Sequence, residues 1–164
     1  TYLLSDTPYQ LPPSLLSLLF LTYLSGTFGS ALSGAMTQRL SQPLCMAAGI
    51  LLLTLGSLIT LVNTLPAIIA GLLINSFGFF LCHAMASSWV NRHATHARAS
   101  ASSLYLVFYY LGASSGSFYL EWFWRQAHWQ GVVGGSLLVF AVTAALALTL
   151  QRWQRTDRCL EAIS

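Results

Sequence analysis

Apolar residues fill this chain in long runs, with neither the strict alternation of a half-buried strand nor the one-sided stripe of a water-facing helix. Residues 7–38, 40–91, 99–120 and 126–151 contain no Asp, Glu, Lys or Arg. A helix that crosses a bilayer takes about 20 predominantly apolar residues, so these runs have room for one, two, one and one crossings in turn. Local punctuation divides them. Pro12-Pro13-Ser14 opens the first span, with proline and a capping serine at its start. Ser41-Gln42-Pro43 ends the first and begins the second, and Asn63-Thr64-Leu65-Pro66 turns the second into the third. The polar stretch Asn91–Arg98 and the Trp- and charge-rich stretch Glu121–Gln130 separate the remaining two. The pattern predicts an all-α fold: a polytopic membrane helix bundle of five transmembrane helices, with spans at about 14–38, 43–62, 66–91, 99–121 and 131–151. Residues 1–13 then form an outer-side segment after a truncated helix, 14–153 the transmembrane part, and 154–164 a cytoplasmic tail.

Composition agrees with lipid as the solvent. The 164 residues are 55% apolar and 7% charged, against roughly 25% charged in a soluble domain. An ordinary water-soluble enzyme is excluded, and so is a disordered chain, which needs low hydrophobicity. The lipid bilayer is the first expected partner. The seven basic residues are all arginines and the net charge is +3, but they do not gather on one soluble face as nucleic-acid binding requires. Five spans put Arg39, Arg92, Arg98, Arg152, Arg155 and Arg158 on one side and Arg125 alone on the other. Positive charge is retained on the cytoplasmic side, which predicts an outside N-terminus and a cytoplasmic C-terminus. Trp122, Phe123, Trp124 and Trp129 then lie at the outer interface, where amphipathic rings prefer to sit. Cys45, Cys82 and Cys159 are too far apart to read as a disulfide or metal framework. No metal or cofactor is expected.

Polarity within the spans separates them. The second and fifth carry only scattered Ser and Thr and suit contact with lipid tails. The first, third and fourth are studded with Ser, Thr, Asn, His and Tyr. Polar groups at membrane depth face a bundle interior or a wet cavity, so these three are expected to line a shared interior. Tyr23, Thr27, Ser30, Asn75, Tyr105 and Tyr109 are the candidates to border a solute path. Tyrosine there offers an aromatic face and a hydroxyl to a mixed polar and apolar solute. His83 lies inside the third span, and histidine titrates near neutral pH, which makes it the candidate for proton coupling. Ser25, Gly29 and Ser33, their neighbours Gly26, Ser30 and Gly34, and the pair Gly112 and Gly116 repeat every four residues. Such stripes let helices approach closely in lipid. The chain has no P-loop, nucleophile elbow, metalloprotease helix or pair of intramembrane acids, so an enzyme is not expected.

Gly34-Ala35-Met36-Thr37-Gln38-Arg39, on the short loop between two spans, resembles the Gly-x-x-x-Asp-Arg signature of the major facilitator superfamily. Gly34 and Arg39 match; Gln38 stands in place of the acid and Ser41 in place of a later glycine. Gly78-Phe79-Phe80 through His83 and Ser88-Trp89-Val90, then Arg98, Leu104-Tyr105-Leu106 and Tyr109-Tyr110-Leu111-Gly112, are similar to the tenth and eleventh helices of bacterial drug-efflux and arabinose-efflux-permease-like members. The resemblance implies helices eight to twelve of a twelve-helix transporter in the bacterial inner membrane, part of its C-terminal half. The seventh helix would be truncated before Thr1 and the N-terminal half would be a missing partner. It implies a secondary transporter exporting a small amphipathic or sugar-like solute by alternating access. The alternative from another class is a small multi-pass membrane subunit with a structural or assembly role.

Overall fold

The computed structural model describes residues 12, 20 and 22–161, with side chains as far as Trp153. Apart from residues 12 and 20, the expected outer-side segment and the opening of the first span lie outside the described residues. Among the described residues four helices follow in order: α1 (Thr22–Met36), α2 (Gln42–Ile59), α3 (Leu65–His93) and α4 (Arg98–Glu161). No strand occurs among the described residues. Ser41 and Thr64 stand in extended conformation just before α2 and α3, each followed by proline in the first helical turn. That proline position sacrifices no intrahelical hydrogen bond. Between α3 and α4 the chain turns within a few residues, with Ala97 at φ 53°.

The long α4 is not one rod. It breaks at Ala127 (φ −145°, ψ 27°) and His128 (φ 47°, ψ −133°). The Tyr119 hydroxyl donates to the Gly135 carbonyl at 3.1 Å, whereas an unbroken helix would hold residues sixteen apart at about 24 Å. The break therefore folds α4 back on itself. Glycine makes the return possible, because a side chain at Gly131 would strike the Phe123 carbonyl, and a Cβ at Gly135 would lie 2.7 Å from the Phe123 ring. By length and composition three helices can cross a membrane: Gln42–Ile59, Leu65–His93 and Arg98–Trp153. The stretches expected as the fourth and fifth spans, 99–121 and 131–151, both fall within the last of these, on either side of the break. The described part of α1 has 15 residues, short of a crossing. The tail expected from 154 onward continues α4 as helix to Glu161.

α3 sits between α1 and α2, and α2 also packs against the second limb of α4. Cys45, Met46, Ile50, Leu81, Met85 and Ala147 form the buried cluster of that three-element contact, with Phe77, Trp89, Phe140 and Ala144 packed around it. The closest approach is an antiparallel glycine seam. A Cβ on Gly56 would lie 2.7 Å from the Gly71 carbonyl oxygen, and one on Gly71 would lie 2.7 Å from that of Gly56. Gly49 and Gly78 repeat the exchange one seam position away, at 3.0 and 2.8 Å. In lipid no hydrophobic drive favours helix association, so contact of this kind supplies the cohesion.

Two expectations about packing need correction. α2 was expected outside; instead one of its faces is the most deeply packed surface of the fold, while Leu44, Leu51, Leu55 and Leu58 remain exposed on the other. Its apolar composition identified the outer stripe and said nothing about the glycines opposite. The small-residue stripes also divide. Gly26 faces the Phe80 ring and Gly29 the Phe77 carbonyl, but Gly34, Gly112 and Gly116 have open space where a side chain would stand.

Candidate functional site

The helix ends establish which loops share a side. The Ser41 hydroxyl and the Gln151 Oε1 are 2.7 Å apart, and Gln42 Nε2 donates to Ser88 Oγ at 3.0 Å. Asn91 Oδ1 accepts from Ser102 Oγ at 2.7 Å. The start of α2, the ends of α3 and α4 and the start of α4 therefore gather at one end of the bundle, and Arg39, Arg92, Arg98 and Arg152 gather with them. At the other end Trp129 Nε1 donates to Thr60 Oγ1 at 3.0 Å, and Arg125 pairs with Glu121 at 2.6 Å on the exposed helix surface. A cavity of about 440 Å³ opens there, lined by Leu61, Asn63 and residues 127–130 around the break. Gly34, Gln38 and Arg39 lie at the first end, where the Gly34 carbonyl accepts from Thr37 Oγ1 at 2.8 Å and the Gln38 and Arg39 side chains are exposed.

Between the two ends, rings from three helices join into one cluster. His83 on α3 lies against Tyr109 on the first limb of α4, with ring centroids 4.7 Å apart. Tyr105 follows at 5.5 Å, and its hydroxyl is 2.9 Å from His83 Nδ1. Phe79, one turn before His83, stacks on the imidazole at 6.1 Å and 12° and also meets Tyr109 at 6.3 Å. Phe79 touches Phe80 edge-on at 5.4 Å, and Phe80 carries the chain of rings to Tyr23 on α1 at 5.9 Å and 88°. Edge-to-face and offset contacts of this length are the favoured aromatic geometries. His83, Tyr105 and Tyr109 are half-buried, while Tyr23 is 53% exposed.

Four of the expected site residues are thus brought together: Tyr23, His83, Tyr105 and Tyr109. Three are not. Asn75 turns to α2 and donates through Nδ2 to Ser57 Oγ at 3.0 Å. Thr27 is exposed on α1 and donates to the Leu24 carbonyl of its own helix at 2.7 Å. Ser30 is half-buried further along α1. Phe79 and Phe80 belong to the cluster and were not named as site residues. Phe79 and His83, like Tyr105 and Tyr109, stand four residues apart, the spacing that places side chains on one helix face; that spacing was the available signal. Among the described residues no three His, Cys, Asp or Glu side chains converge as metal ligands do.

No family model matches the chain and no solved structure matches it. It is 40% identical over 148 residues to an uncharacterized MFS-type transporter, YybF, of Bacillus subtilis (strain 168), covering 90% of this chain and 36% of that protein. It is 36% identical over 151 residues to the inner membrane transport protein YnfM of Escherichia coli (strain K12), covering 92% of this chain and 36% of that protein. An uncharacterized transporter of Buchnera aphidicola subsp. Schizaphis graminum (strain Sg) is 35% identical over 152 residues, 93% of this chain and 37% of its own length. These likenesses support a stretch of a major-facilitator-type transporter. The chain spans a little over a third of the length of these relatives. They are named transporters, not enzymes, and with the apolar helices they support a multi-pass membrane protein.

Proposed function

We propose that this chain is part of a secondary transporter of the major facilitator superfamily, exporting a small amphipathic or sugar-like solute by alternating access. The observation that carries the reading is its likeness, over nine tenths of its length, to proteins named as transporters. In this reading the chain supplies five crossings of the inner membrane, with the two limbs of α4 as the fourth and fifth, and belongs to the drug-efflux and arabinose-efflux-permease-like branch. The arginine-rich end faces the cytoplasm, by the retention of positive charge on that side. The missing N-terminal half completes the path, since such paths form at mid-membrane between two repeats.

The ring cluster is the solute-facing element on this side of the path. Tyr23, Tyr105 and Tyr109 present aromatic faces with hydroxyls, which suits a solute that is partly apolar. Thr27 and Ser30 add polar positions on α1, whereas Asn75 is taken up by its bond to Ser57 in the α2–α3 seam. His83 is the group that exchanges a proton as the path opens to either side. Alanine replacement of Tyr23, Tyr105 or Tyr109 in the complete transporter is expected to change resistance of the host cell severalfold toward some members of a panel of amphipathic and sugar-like compounds, with unchanged protein in the membrane fraction. Resistance profiles identical to the parent in all three variants would remove the cluster from the path.

A further inference from the structure

We propose that Tyr105 is a positioning residue that lets His83 take up and release a proton without losing its hydrogen bond. The inference rests on the reading of His83 as the coupling group and adds the device that would make it work. The Tyr105 hydroxyl faces two polar atoms of the same residue: it is 2.9 Å from His83 Nδ1 and 3.4 Å from the His83 carbonyl oxygen. A neutral imidazole carries one N–H and one bare nitrogen, and a carbonyl oxygen has two lone pairs. With the ring neutral and its hydrogen on Nε2, the hydroxyl donates to Nδ1. When Nδ1 gains a proton it becomes a donor to the phenol oxygen, and the phenol hydrogen swings to the His83 carbonyl. One proton enters the ring and none leaves the tyrosine. Each state keeps a bond between ring and phenol, and only the direction reverses.

The surroundings favour such an exchange. Phe79 stacks on the imidazole and Tyr109 lies against it, and aromatic faces attract a cation that has lost its water. The titratable groups around His83 are Tyr105 and Tyr109 from α4, Tyr23 from α1 by way of Phe80, and Cys82 beside it on α3, whose Sγ turns away to the Met46 carbonyl of α2 at 3.2 Å. The sequence places no Asp, Glu, Lys or Arg at residues 40–91 or 99–120, so no charged side chain of these stretches pairs with the ring.

The test is a histidine-labelled nitrogen NMR titration of the complete transporter in lipid nanodiscs, with His83→Gln identifying the His83 signals. In the parent, His83 is expected as the Nε2–H tautomer at high pH, with Nδ1 accepting, and as a double donor at low pH. Tyr105→Phe keeps the ring and removes the hydroxyl, and is expected to weaken proton binding at His83 about tenfold, because a charged donor loses its acceptor. Tyr109→Phe is expected to leave the titration in place. A parent ring with its hydrogen on Nδ1 at high pH, or an unchanged titration in Tyr105→Phe, overturns the proposal. The outcome for transport is separate: a titration that behaves as expected beside a pH-independent transport rate leaves the exchange standing and removes the coupling role from His83.

Discussion

Asn75 shows how little a polar residue's type says about its task. Its amide turns to Ser57 across the α2–α3 seam, on the side of α3 that also carries Gly71 and Gly78, whereas His83 faces α4. A hydrogen bond between helices in lipid stabilises by about 0.6 kcal/mol on average and by up to about 1.7 kcal/mol. Asn75→Ala and Ser57→Ala are therefore expected to be non-additive, with a coupling of about 0.6 kcal/mol in a double-mutant cycle measured by thermal unfolding in detergent. Additive effects would free Asn75 from the seam and return it to the solute path. The cluster residues behave differently. His83, Tyr105 and Tyr109 meet only because α3 and the first limb of α4 are held side by side, and no local sequence pattern reports that meeting.

At the scale of helices, the α2–α3 seam depends on four glycines. Gly49 and Gly56 stand seven apart, as do Gly71 and Gly78, and seven residues are close to two full turns, so each pair returns to one face. Antiparallel pairing then sets Gly56 on Gly71 and Gly49 on Gly78. A methyl group at Gly56 or Gly71 meets rigid backbone, which can move only by spreading the helices. Gly56→Ala and Gly71→Ala are expected to cost about 1–3 kcal/mol, the usual range for overpacking, seen as a lowered unfolding temperature in detergent. Gly34→Ala, facing open space, is the comparison in the same experiment. Equal melting of all three variants would show that the seam tolerates the methyl groups.

The whole molecule offers large apolar surfaces outward. Leu104, Val107, Phe108, Leu111 and Phe118 on the first limb of α4 are all more than half exposed, a surface suited to lipid or to further protein and unsuited to water. The arginines at the gathered loop end then predict orientation. A cysteine replacing Thr64 is expected to react with a membrane-impermeant maleimide in intact cells, and one replacing Thr95 only after permeabilisation. The native Cys45 and Cys82 are buried and half-buried, so background labelling at these two is low. The reverse pattern would invert the orientation.

Sequence alone determined that the described residues are helical and apolar enough to cross a bilayer, and where α2 and α3 start. Long runs without charge have one stable form in a bilayer, because every backbone polar group must be satisfied inside its own segment. Proline and polar turns act locally, so Ser41 and Thr64 mark helix starts without reference to anything distant. The foldback at Ala127–His128 was legible only as a polar interface, since its sharpness depends on Gly131 and Gly135 receiving Phe123. Tertiary structure decided which glycines touch, which face of α2 is buried and which polar residues share a site. Each of those depends on the register and rotation of one helix against another, and neither is encoded in the periodicity of a single helix. A four-residue stripe such as Gly112 and Gly116 permits close approach, but a partner must be present to use it.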